Sequence, residues 1–203
     1  MKNGKCVFAG TFDPPTLGHK AVIENCLKTF EEVVVAILVN PNKEPYFTVE
    51  DRKKMLKLTV NSERMRVVEF SGTVAELLEK ENTNIYVRGL RNATDFDYET
   101  ADFYATKKLN GQVTAWYLPC PQELLHVSSS IVRNSLRFHT PIDEYVTKEV
   151  QEYIQQIQMK DEIKGKERKV HYVRKTMFYP RAGRVHRGIA HDGGTQENKK
   201  GTR

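Results

Sequence analysis

Residues 32–39 read EVVVAILV, one charge followed by seven apolar positions. A half-buried strand would alternate polar and apolar residues; this one is apolar on both faces, as expected of a central parallel strand covered by helices on each side. Outward from it, further β-rich runs lie near 5–9, 65–70, 84–88 and 113–118, with helical patterns between them. Such alternation reads as α/β with a parallel sheet, here a doubly wound five-stranded one. Thr16 can cap a helix over 17–30, Thr48 one over 49–60, Thr73 one over 74–82, and Asp95 one over 96–109 ended by Gly111. Ser128 can cap a helix over 129–138, and Asp143 starts a last one to about Met159.

Charge divides the chain of 203 residues in two. Residues 160–203 hold 13 Lys/Arg against 5 Asp/Glu, and residues 1–159 hold 19 against 21. An α/β domain over 1–159 is therefore near neutral, and a basic, Gly-interrupted extension over 160–203 carries the excess. That extension reads either as weakly docked or disordered chain, or as an arm for nucleic acid or another acidic surface. Its stretch 170–179 has enough Tyr, Val and Phe to dock as a strand. Nucleic acid is thus expected at the tail or not at all.

Cys6, Cys26 and Cys120 are odd in number and form no C-x-x-C pair, so they read as small apolar residues rather than disulfide or zinc ligands. The apolar run Cys6–Ala9 is too short for a signal peptide's core, and no window approaches the ~20 apolar residues that cross a bilayer. A soluble, cytoplasmic protein without a membrane partner is expected.

Residues 9–22, AGTFDPPTLGHKAV, join the first strand to the first helix. A loop leaving a strand's carboxyl end for a helix N-terminus presents N–H groups and the positive end of the helix dipole, which suits an anion. His19 falls in the helix's first turn, on the stripe Val22, Ile23, Cys26 and Phe30, and so faces inward. It reads as a phosphate-site group, against the plainer reading of a satisfied buried histidine. Neither G-x-x-x-x-G-K-[ST] nor G-x-G-x-x-G occurs, so a different phosphate chemistry is required.

Three more clusters reach the same sheet edge. IYVRGLRNATDFDYE (85–99) follows the fourth strand, and in the order 3-2-1-4-5 strands one and four flank the point where the winding reverses. Arg88 and Arg91 then meet His19 there, while Glu99 either accepts bonds from a ligand or pairs with an arginine. HVSSSIVR (126–133) places Ser128, Ser129 and Ser130 at another helix start, more hydroxyls than one cap needs. NPNKEPYFT (40–48) sets Lys43 in a stiff loop, solvated unless its edge position recruits it.

These motifs resemble the nucleotidyltransferases that carry T/H-x-G-H and I-S-S-S/T-x-x-K/R. GTFDPPTLGH followed by VRGLRNATDFDYE and VSSSIVR is similar to bacterial-type phosphopantetheine adenylyltransferases, over about residues 5–158. The resemblance implies a Rossmann-like fold and transfer of AMP from ATP to 4′-phosphopantetheine, giving 3′-dephospho-CoA and pyrophosphate, with Mg²⁺ accompanying ATP. It implies that His19 stabilises charge on the α-phosphate and that Thr11, with Phe12, touches both phosphate groups. Lys43 and Arg88 would hold the acceptor phosphate, and Val74 would touch the pantetheine arm. Gly89, Leu90, Arg91 and Glu99 would bind ATP, together with Leu124, Leu125, His126, Val127, Ser128, Ser129 and Ser130. A homo-oligomer, a hexamer in this family, is also implied.

Two features depart from the pattern. In PQELLHV (121–127), Leu124 stands where the family often has an aromatic and His126 where Phe is usual. Residues 160–203 have no counterpart. The competing readings are another nucleotidyltransferase, such as a nicotinate-mononucleotide adenylyltransferase or a cytidylyltransferase, and an RNA-binding protein using the tail; the tail could also serve assembly alone.

Overall fold

The structure, a computed structural model, describes residues 3–40, 44–160 and 162–163. Lys43 and the tail from 164 onward lie outside the described residues. The chain divides into two units, Met1–Met159 and Lys160–Arg203.

In the first unit the elements follow one another as β1 (Asn3–Gly10), α1 (Leu17–Thr29), β2 (Phe30–Leu38), α2 (Val49–Thr59), β3 (Met65–Phe70), α3 (Val74–Lys80), β4 (Ile85–Leu90), α4 (Ala93–Leu109), β5 (Thr114–Pro119) and α5 (Ser129–Arg137). A further helix, α6, covers 148–160. The five strands form one parallel sheet in the order β3-β2-β1-β4-β5, the order read from the sequence.

EVVVAILV behaves as its composition demands. Val33, Val35 and Ile37 pack into one core with Val22, Ile23 and Cys26 of α1 and Leu56 of α2. Val34 and Ala36 point the other way, to a second core with Val74, Leu77 and Leu78 of α3. Every one of these β2 side chains is fully buried. At roughly 25 cal/mol per Å² of apolar surface removed from water, each valine and the isoleucine contribute on the order of 1–3 kcal/mol, which no strand with a wet face could match. A third core stands away from the sheet, where Met55 of α2 meets Val132 and Leu136 of α5 and Val150 and Ile154 of α6.

Thr48, Thr73 and Ser128 cap their helices through the side chain, each accepting from an N–H three residues on. Two helix starts differ from expectation. Asn92, not Asp95, caps α4, its side chain accepting from Asp95 N; Asp95 is drawn off by an arginine instead. The last helix starts at 148 rather than at Asp143, with the Thr147 hydroxyl accepting from Val150 N at 3.4 Å. Residues between them form a turn whose Tyr145 carbonyl accepts from Leu17 N at 2.9 Å, so the chain stays irregular where it serves α1. No helix among the described residues is long and apolar enough to cross a membrane.

Candidate active site

β1 and β4 are neighbours in the sheet, yet the chain leaves them for helices on opposite faces. The crevice between their carboxyl ends is where open α/β sheets bind ligands. A cavity of about 330 Å³ opens there, lined by His19, Arg88, Gly89, Arg91, Glu99, Val127 and the three serines 128–130, among others. Three crossings of the chain thus deliver the residues picked out by sequence to one place.

His19 is held from both sides. Its ring meets Phe12 edge-on at 5.0 Å and lies 6.3 Å from Phe8. Thr16 N donates to Nδ1 at 2.9 Å, and the Thr16 hydroxyl oxygen lies 3.0 Å from the same nitrogen. An Nδ1 that accepts from a backbone N–H carries no proton, so the ring's proton sits on Nε2 as a donor. Burial, and next the charge of Arg91, push the imidazole pKa down to about 4. At neutral pH this is an uncharged ring that donates a hydrogen bond.

The arginines are steadied by carboxylates. Arg88 pairs with Glu99, donates to Ala9 O at 3.0 Å and lies over the Tyr86 ring at 5.2 Å. Of the two readings for Glu99, the structure displays the ion pair. Arg91 grips Asp95 through two bonds of 2.9 and 3.0 Å, which holds the Asp95 carboxyl below the usual carboxylate range. Between these arginines, Gly89 lets β4 press against α1: a Cβ there would stand 2.7 Å from Val22 Cγ2.

Each serine has a separate task. Ser128 caps α5, Ser129 donates to Pro14 O at 2.8 Å, and Ser130 accepts from Arg133 at 3.0 Å. The N–H groups of Ser129 and Ser130, at the start of α5, have no helical acceptor and favour an anion.

A second cavity, of about 620 Å³, adjoins the first; Phe12, His19 and Ser129 line both, and Thr11 lines only the second. Not every candidate reaches these walls. Leu90, Val74, Leu124, Leu125 and His126 line neither cavity; Val74 is buried in the second core, and His126 meets the Tyr145 ring at 6.1 Å. Cys6 and Cys26 are core residues, whereas Cys120 is half-buried and lines the smaller cavity.

Sequence reasoning missed the residues that hold the 11–15 turn. The Asp13 carboxylate accepts from Tyr46 N and Phe47 N at 2.8 and 2.9 Å. Arg133 donates to Asp13 O at 2.6 Å, and Arg52 to Thr11 O at 2.9 Å. Arg133 was visible within VSSSIVR, and Arg52 as an arginine on the apolar stripe of α2.

A family model described as Cytidylyltransferase-like matches residues 7–135. A phosphopantetheine adenylyltransferase of Symbiobacterium thermophilum is 40% identical over 143 residues, 70% of this chain and 88% of that protein. The chain belongs to the phosphopantetheine adenylyltransferase family. A second relative in that family, from Thermotoga neapolitana, is 37% identical over 71% of this chain and 90% of its own length. In both cases about 30% of this chain lies outside the match, and the adenylyltransferase relatives are covered nearly whole. The fold extends further: a Plasmodium falciparum nicotinic acid mononucleotide adenylyltransferase, solved as a complex with NaAD, superimposes with a TM-score of 0.58 over 78% of this chain and 98% of that one, at 17% identity.

Proposed function

We propose that this chain is the enzyme that transfers AMP from ATP to 4′-phosphopantetheine, releasing pyrophosphate and forming 3′-dephospho-CoA in coenzyme A biosynthesis. The observation that carries the mechanism is the position of His19, on the wall shared by two cavities that meet at the carboxyl edge of the sheet. In adenylyl transfer an acceptor oxygen attacks the α-phosphorus in line as the bond to pyrophosphate breaks. Nucleophile and leaving group must therefore lie on opposite sides of one phosphorus.

The nucleophile is already an anionic phosphate, so no general base is needed, and catalysis is positioning plus charge stabilisation. His19 Nε2–H donates to a non-bridging oxygen of the α-phosphate and strengthens that bond as charge builds. Arg91 and the open N–H groups of Ser129 and Ser130 receive the departing pyrophosphate. Arg88, braced by Glu99, and Lys43 hold the acceptor phosphate, with Thr11 and Phe12 between the two. Gly89 and Val127, on the wall of the first cavity, border the nucleoside.

Mg²⁺ enters as MgATP, on the substrate's side of the reaction. The triphosphate oxygens would hold the ion, while Asp95 and Glu99 are engaged by arginines. A cytoplasmic homohexamer is part of the proposal. Exposed Phe96, Tyr98, Tyr104 and Leu109 along α4 support assembly, because that much apolar surface on one helix favours a partner.

Pyrophosphate release from MgATP tests the reading, with 4′-phosphopantetheine, nicotinate mononucleotide and other phosphorylated acceptors compared side by side. Turnover with 4′-phosphopantetheine is expected to exceed every other; preference for another acceptor would replace the substrate assignment.

A further inference from the structure

Helix α2 buries Met55, Leu56 and Thr59, and Arg52 stands on the same stripe, only 2% exposed. Removing a guanidinium from water is costly unless its charge is answered. The acceptors of Arg52 among the described residues are two neutral carbonyls: Thr48 O, 3.4 Å from Nε, and Thr11 O, 2.9 Å from Nη1. A cation kept at that cost for a single turn of chain has a task in the turn.

The Thr11 carbonyl belongs to the same peptide unit as the Phe12 N–H. A planar trans peptide points these two groups in opposite directions, so fixing the oxygen on α2 aims the N–H away from it. Phe12 holds φ at 50°, a left-handed conformation uncommon outside glycine, and its ring is wedged against Phe8 and His19. Its N–H donates to no backbone or side-chain acceptor among the described residues. Backbone conformations of this kind persist only where surrounding groups enforce them. A charged donor also binds a carbonyl more firmly than a neutral one.

Given the adenylyl-transfer reading of this site, we infer that Arg52 is a positioning residue: by pinning the Thr11 carbonyl it presents the Phe12 N–H, beside His19, to the phosphate being transferred. Arg52, which also borders the second cavity, acts through one peptide plane.

The full-length chain carrying Arg52→Met or Arg52→Lys tests this, with kcat, KM for each substrate, ATP affinity by calorimetry and thermal melting measured together. Loss of one preorganised donor lowers kcat by ~10²-fold. Arg52→Met is expected to show that drop per folded molecule while ATP affinity changes by less than about threefold, since a donor aimed at the transition state contributes little to ground-state binding. Arg52→Lys should recover part of the loss. Wild-type kcat per folded Arg52→Met overturns the inference, as does a drop in ATP affinity that matches the drop in kcat. Should Arg52→Met fail to fold, Arg52→Lys decides: a reduced kcat at unchanged ATP affinity supports it, and wild-type kcat overturns it. Failure of both to fold assigns Arg52 to the fold alone and overturns it too. The unaltered protein, assayed in parallel, reports separately on the adenylyl-transfer reading, which fails if it releases no pyrophosphate.

Discussion

The main-chain N–H of Thr16 reaches Nδ1 of His19 at 2.9 Å, and this bond selects the ring's tautomer. Had that N–H found a carbonyl instead, either nitrogen could carry the proton. With Nδ1 occupied as acceptor, Nε2–H is the donor left to the crevice, and burial keeps the ring neutral.

Removal of the imidazole should therefore strike the chemical step. His19→Ala is expected to lower kcat by ~10²–10³ with the melting temperature little changed, since only one preorganised stabilising group is lost. His19→Gln, which keeps an N–H donor at a different length, should retain more. A folded His19→Ala protein with wild-type turnover in the pyrophosphate assay would remove His19 from the mechanism.

Acid should weaken the fold through the same residue. In the unfolded chain His19 takes up its proton near pH 6.5, and in the native protein only near pH 4. Between those values the unfolded state binds more protons, so this contribution is complete above about pH 6.5 and declines as pH falls toward 4. Urea midpoints measured from pH 7.5 to 4.5 should fall less steeply for His19→Gln than for wild type. Correspondingly, kcat should show no imidazole inflection between pH 6 and 8.

Arg88 and Glu99 are 17% and 15% exposed in their side chains, so neither is well served by water if its partner goes. Glu99→Gln is expected to cost about 2–3 kcal/mol, under the 3–5 typical of a fully buried pair broken on one side. It should also raise KM for the acceptor by freeing Arg88 to turn. Denaturant unfolding and steady-state kinetics on Glu99→Gln, Arg88→Met and the double variant would show whether the two effects couple.

Space rather than charge is tested at Gly89. An added methyl would meet Val22 Cγ2 at 2.7 Å, forcing β4 and α1 apart and costing about 1–3 kcal/mol. Gly89→Ala combined with Val22→Ala should regain most of that stability. If Gly89→Ala alone melts like wild type, the close approach is not a constraint.

The tail offers a separate experiment. The family match lies within 7–135, and the residues lining both cavities lie before 138. A chain ended after Met159 is expected to keep wild-type kcat and KM. If the tail instead binds RNA, truncation would abolish an affinity that weakens steeply with salt, and titration with a labelled RNA at two salt concentrations reads that out.

Much of this was legible because its causes are local. Thr48, Thr73 and Ser128 announce helices by a bond three residues long, and EVVVAILV announces a two-faced core by composition. The same locality misled at Asp95, where Arg91 offers the carboxylate a charged partner and Asn92 takes over the cap. It misled again at Asp143, because the following turn is shaped by Tyr145 satisfying Leu17 of a distant helix. Arg88 and Arg91 were identifiable as site residues, and an ion pair was one of the two readings for Glu99, but the Arg91–Asp95 pair was hidden behind the reading of Asp95 as a cap.

The order of strands and helices and the crevice at the β1–β4 boundary, with His19, Arg88, Arg91 and the three serines on its wall, follow from the sequence alone, since periodicity, caps and winding rules act between chain neighbours or whole elements. How the phosphate turn is held depends on contacts far apart in the chain. Arg52 reaches Thr11 across 41 positions and Arg133 reaches Asp13 across 120. A carbonyl's partner at such separations is set by how α2 and α5 pack on their shared core, which no local pattern encodes.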